Sequence, residues 1–222
     1  MSTQFKEFIN AVRSIRMREP LAAALGAFAP GEDSVEFTLA DVIKAAGHAC
    51  PTVVGSFITL REALARLYPE DVPVRGEIEV IVFGAPGEGV YGVMAQVFGL
   101  VTGAAPETGF KGLGTRFSRK DLLGFCPGDG APEARFRFTR KDTGRSVVAR
   151  FRPWNIPFAS QKASRMAALM EQVVAGSAGN GELNEFQELW SEKLKGMLAG
   201  EGMSTWLHLE EESAAAGAPV SP

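Results

Sequence analysis

Hydrophobic side chains recur at helix and strand spacings along most of this 222-residue chain. Phe5, Phe8, Ile9, Val12 and Ile15 fall three and four apart, which predicts an amphipathic helix over residues 3–17. Leu21 to Phe28 continues it beyond Pro20, up to a turn at Pro30-Gly31. Val35-Glu36-Phe37 reads as a short strand. Thr38 then caps a helix over Leu39–Ala46, with Asp41 three residues on in a capping-box arrangement, and Gly47 ends it. A longer helix follows over about residues 51–68, striped by Val53, Phe57, Leu60, Leu64 and Leu67. Its other early positions are small (Gly55, Ser56, Thr59), which permits close approach of another helix.

Glu77 to Phe83 is predicted as a strand with Ile78, Val80 and Val82 on one face. A glycine-rich turn, Gly84 to Gly89, leads into an apolar helix from Gly89 to Gly103. The loop from Thr102 to Gly114 holds Glu107, Lys111 and Gly112, but not the GxxxxGK[ST] spacing of a phosphate-binding loop. Leu122 to Cys126 reads as a strand. Ala134 to Arg152 reads as a hairpin turning at Asp142-Thr143-Gly144. A two-residue loop there puts Phe136 and Phe138 on one face with Ala149 and Phe151, and Arg135, Arg137, Arg150 and Arg152 on the other. In the last third, Met166, Leu169, Met170 and Val173 mark one helix. Leu183, Phe186, Trp190, Leu194 and Met197 mark a second, and Gly176–Gly181 separates them. This is a helical hairpin packed on the core or on a second copy of the chain. From His208 onward the acidic, alanine-rich tail reads as disordered.

The pattern is that of an α+β fold: an antiparallel sheet packed with helices, plus a C-terminal helical hairpin. Four stretches follow: an N-terminal helical segment (1–34), a core (35–157), the hairpin (158–200) and the tail (201–222). Hydrophobic residues make up 45% of the chain and the net charge is −3, which gives no general attraction to nucleic acid or to an anionic membrane. No apolar run approaches the roughly 20 residues that cross a bilayer. Two cysteines make no disulfide framework, so the chain reads as cytoplasmic and reduced.

Candidate chemistry concentrates at Gly47-His48-Ala49-Cys50-Pro51, where one of two histidines stands two residues before one of two cysteines. Proline at the first helical position puts Cys50 at or next to the N-cap, where free N–H groups and the helix dipole favour the thiolate. His48 is placed to bind the same ion or to take the thiol proton. The residues alone also fit an unreactive thiol beside a histidine that caps a helix end.

Gly47-His48-Ala49-Cys50-Pro51, following a Thr-Leu-Ala-Asp-Val-Ile helix, resembles the core domain of the formylmethanofuran dehydrogenase E-subunit family and its bacterial members. The likeness continues through Gly89-Val90-Tyr91-Gly92-Val93, Thr102-Gly103-Ala104 and Gly109-Phe110-Lys111-Gly112, over roughly residues 35–155. It implies an intertwined homodimer and a transition-metal site, zinc first, around His48 and Cys50. The family's name comes from an enzyme complex of one-carbon metabolism. Many relatives carry a cysteine where this chain has Glu88, so Glu88 becomes a candidate oxygen ligand. Some relatives end in a cysteine-rich zinc finger, and this chain has helices there. Lys111, between glycines, is the candidate cation for an anionic substrate or for the thiolate of Cys50. Two classes of function remain: a metal-dependent protein acting on a small molecule or within a larger enzyme complex, and a non-catalytic dimeric assembly protein with no metal.

Overall fold

A computed structural model describes residues 8–126 and 130–212. The first half runs β1 (Ile15–Arg18), α1 (Pro20–Ala24), β2 (Ser34–Phe37), α2 (Leu39–Ala46), α3 (Pro51–Leu67), β3 (Ile78–Phe83) and α4 (Tyr91–Thr102). The second runs β4 (Gly112–Leu113), β5 (Phe117–Ser118), β6 (Leu123–Cys126), β7 (Ala134–Arg140), β8 (Ser146–Phe151), α5 (Ser160–Val174), α6 (Asn180–Leu198), α7 (Met203–Trp206) and β9 (Leu207–Glu212). The fold is α+β.

The main sheet has the order β6-β3-β7-β8-β9. It is antiparallel except at one edge, where β6 runs parallel to β3. A parallel neighbour needs a crossover, and α4 with the loop after it supplies one. Along β7 the alternation places Ala134, Phe136 and Phe138 in the interior, opposite Phe151, Ala149 and Val147 of β8. The phenylalanine and arginine faces of this hairpin fall as their spacing predicts. Phe98 of α4 meets Phe136 and Phe138 edge-on, with ring centres 5.1 and 5.0 Å apart.

Helix α3 is buried without a break from Val53 to Leu60, more than a single stripe would give. It is enclosed by β8, α2, α4 and α6. The small residue in its first turns serves a strand rather than a helix: the Phe151 ring lies 2.6 Å from where a Cβ on Gly55 would sit. Residues from the N-terminal segment (Ile9, Ile15) and from the hairpin (Leu194, Met197) join the same apolar core as the sheet.

Two expectations are corrected. The helix predicted over 3–17 holds at residues 8–10, its start lies outside the described residues, and Ile15–Arg18 is a strand. There Ile15 and Met17 are buried while Arg16 and Arg18 are exposed, a period of two that the helical spacing upstream conceals. The chain beyond His208 is ordered as far as Glu212, as the edge strand β9. Its first residue, Leu207, is buried, and its acids meet the arginines of β8 and its turn: Glu210 accepts from Arg150 at 2.7 Å and Glu211 from Arg145 at 3.2 Å. Residues 213–222 of the predicted tail lie outside the described residues. Among the described residues no helix is long and apolar enough to cross a membrane.

Candidate functional site

The His48–Cys50 corner is built by two helix ends. The capping box of α2 is complete: the Asp41 N–H donates to Thr38 Oγ1 at 3.2 Å, and the Thr38 N–H to Asp41 Oδ2 at 3.0 Å. The hydrogen bonds from Thr38 hold the Asp41 carboxyl below its usual range. Gly47 closes α2 in the left-handed conformation, with φ of 76°, and the chain bends through His48 to reach an extended Cys50 at the start of α3. Cys50 is the N-cap of α3 and Pro51 its first residue; Cys50 Sγ accepts the Val53 N–H at 3.5 Å. His48 is exposed, and its Nδ1 lies 3.0 Å from the Ala46 carbonyl oxygen. A carbonyl only accepts, so in the neutral ring Nδ1 carries the proton and Nε2 keeps its lone pair.

A residue that sequence reasoning left among core contacts completes the corner. Trp190 of α6 donates its indole N–H to the Ala49 carbonyl at 2.9 Å, and Phe186 stacks on it at 5.5 Å. The C-terminal hairpin is thereby anchored between His48 and Cys50.

The other predicted residues lie elsewhere. Glu88 is exposed on the turn before α4, where its carboxylate accepts the Ala85 N–H at 3.5 Å. Lys111 is exposed, and its carbonyl accepts from the N–H groups of Arg119 and Lys120 at 2.9 and 3.3 Å. Among the described residues its ammonium makes no hydrogen bond or ion pair. Cys126 is a free thiol at the end of β6, opposite Phe83. Among the described residues no three His, Cys, Asp or Glu side chains are grouped so as to hold a metal ion, so His48, Cys50 and Glu88 do not form such a group.

A second polar cluster has no counterpart among the predicted site residues. Glu19 is 5% exposed and caps α1, accepting the Leu21 N–H at 3.3 Å. Its carboxylate also accepts from Arg119 Nη2 at 2.5 Å and from Arg75 Nη1 at 2.6 Å. Arg75 extends the cluster to the C-terminal end of α4, donating through Nε to Val101 O and through Nη2 to Leu100 O, both at 2.9 Å. Burial pushes the Glu19 carboxyl up, but the hydrogen bond and charge of Arg119, joined by those of Arg75, leave it below its ordinary value of 4.5. In the structure Glu19 continues the buried alternation of Ile15 and Met17, a period of two that the helix reading of residues 3–17 passed over.

No protein-family model matches the chain, and no curated protein matches it in sequence. The chemistry therefore rests on the two clusters. The corner presents one nitrogen and one sulfur donor, and the buried cluster presents arginine N–H groups to a carboxylate.

Proposed function

We propose that this chain is a metal-binding protein resembling the core domain of the formylmethanofuran dehydrogenase E-subunit family. His48 and Cys50 are the ligands it contributes to a zinc-like ion. The observation that carries this reading is the Nδ1 contact of His48 with the Ala46 carbonyl. A backbone carbonyl on one ring nitrogen is the usual outer-shell partner of a metal-bound histidine, because it fixes the tautomer that offers the other nitrogen. Cys50 at the N-cap of α3 supports it, since its Sγ stands at the helix start, where it accepts the Val53 N–H and is half-exposed beside His48 in the chain.

One imidazole and one thiolate suit zinc but supply two of the four positions of a closed site. The rest belong to water, a small-molecule substrate, or donors such as Glu88 from a second copy of the chain. Such an ion, when bound, polarises an oxygen of a substrate or water. In the cytoplasmic homodimer of this reading, Cys50 holds the ion or acts as nucleophile, and the ammonium of Lys111 neutralises an anionic substrate. Elemental analysis of protein purified without chelator or affinity metal tests the proposal. We expect stoichiometric transition metal, lost in His48→Ala and Cys50→Ala with the circular dichroism unchanged. Metal-free wild-type protein overturns it.

The second reading is a dimeric assembly protein without metal. It is favoured by the docking of α6 on the corner and by the outward-facing Trp154 (59% exposed), Val174 (78%) and Leu183 (36%). In that case chelator-treated protein keeps its oligomeric state in sedimentation, and His48→Ala behaves as wild type.

A further inference from the structure

Beside the Glu19 cluster lies a cleft of about 230 Å³ whose walls include Arg75, Arg116, Ser118 and Arg119. Its charges do not balance. Arg75 and Arg119 share the single carboxylate of Glu19, and Glu77 in the wall is already met by Lys141 at 3.4 Å. With Arg116 this sets four cations against two carboxylates.

Arg119 has hydrogen-bonding capacity left over. Its side chain is 9% exposed, yet only Nη2 is bonded, both times to Glu19. Nε and Nη1 have no partner among the described residues, and neither is sealed from solvent. The guanidinium is held rigidly. Phe110 lies over it with its ring centre 5.4 Å away, and the backbone of Gly103 lies beneath. A Cβ on Gly103 would stand 3.2 Å from Nη1, so this glycine makes room for the side chain. A guanidinium fixed on one side by a carboxylate, with donors to spare on the side open to solvent, is the group that recognises planar or tetrahedral oxyanions.

We propose that this cleft binds a small oxyanion, a phosphate or carboxylate group, between Arg119, the exposed Arg116 and the Ser118 hydroxyl. Glu19 acts as the internal counter-ion that holds the two buried arginines in place when the cleft is free. This site is independent of the metal reading at His48 and Cys50.

Isothermal titration of the full chain with inorganic phosphate, and separately with malonate, tests it. Saturable binding at one ion per chain is the expected result for at least one of the two, and the tighter one identifies the group. Arg116→Ala removes a charge-assisted hydrogen bond at a side chain that ties no elements together, and weakens binding about tenfold. Lys141→Met leaves Glu77 uncompensated and weakens it about threefold. Glu19→Gln keeps the shape of the buried acceptor but removes its charge, so binding tightens, whereas a purely structural cluster would only lose stability. If Glu19→Gln does not fold, the two surface variants decide. A linear, non-saturating response to both ions overturns the proposal, and so does an affinity that neither Arg116→Ala nor Lys141→Met alters.

Discussion

At the His48–Cys50 corner the polar atoms come from neighbouring residues, and the imidazole is left facing solvent. At the Glu19 cluster the partners lie 56 and 100 residues apart in the chain and are largely buried. The corner is held by backbone: a left-handed glycine, a proline at the first helical position, and an indole N–H on a carbonyl. The cluster is held by charge. It ties together the end of β1, the segment before β3, the end of α4 and the loop before β6, and it adds to the backbone hydrogen bonds of Arg18 with Pro73 and Arg75, of Gly76 with Thr102 and of Ala105 with Arg119. Removing a side chain from the corner should therefore cost little stability, and removing one from the cluster should cost more.

The comparison breaks most visibly at Arg119. Arg119→Ala leaves Glu19 with one cation in a buried setting, and breaking a buried ion pair from one side costs about 3–5 kcal/mol. Urea denaturation should show a loss of that order, with Glu19→Ala close behind; a loss below about 1 kcal/mol would mean that the cluster is not a fastening. Acid offers a second handle. The folded Glu19 carboxyl lies below its ordinary 4.5, so its contribution is complete above that pH and declines as pH falls through the lower folded value. The stability gap between wild type and Glu19→Gln should hold steady from pH 7 to about 5 and close below 4.5.

A smaller effect is expected at Gly103, which has φ of +74° and the Arg119 guanidinium against it. Gly103→Ala adds left-handed strain of about 1–2 kcal/mol and crowds the guanidinium. Its cost should shrink in an Arg119→Lys background, which a double-mutant cycle reads.

This glycine also marks how far sequence reaches. The caps of α2 and α3, the strand of Ile78–Phe83 and the faces of the hairpin were legible because each is written in residues a few positions apart. The strand at Ile15 and the ordered β9 were not. Their stability comes from partners, Ser34–Phe37 in one case and the arginines at β8 in the other, that lie 16 to 66 residues away. Neither Arg75 nor Arg119 stands out in the sequence, for the same reason. Nothing adjacent to either announces a buried carboxylate.

Trp190→Phe keeps the ring that packs on Phe186 and deletes one hydrogen bond to Ala49. About 1 kcal/mol of stability should be lost. If the corner depends on the hairpin for its shape, amide exchange at residues 48–50 should quicken while the β3–β7 ladder stays protected. Equal exchange in the two proteins would make the tryptophan a packing residue alone.

The smallest effect on stability should come from Cys50, and it separates the two regions most sharply. Cys50 occupies an N-cap, a place where serine is among the preferred residues and where Sγ reaches the Val53 N–H only at 3.5 Å. Cys50→Ser shortens that hydrogen bond and should leave stability unchanged or raise it by a few tenths of a kcal/mol. Cys50→Ala forfeits the cap and should cost about 0.5–1 kcal/mol. In the metal reading it is the sulfur of Cys50, which an oxygen would not replace, that the ion requires. In the metal reading both substitutions abolish the bound ion, although one of them stabilises the fold. If Cys50→Ser instead destabilises by more than about 1 kcal/mol, the sulfur is there for packing, and the argument for chemistry at this corner is lost.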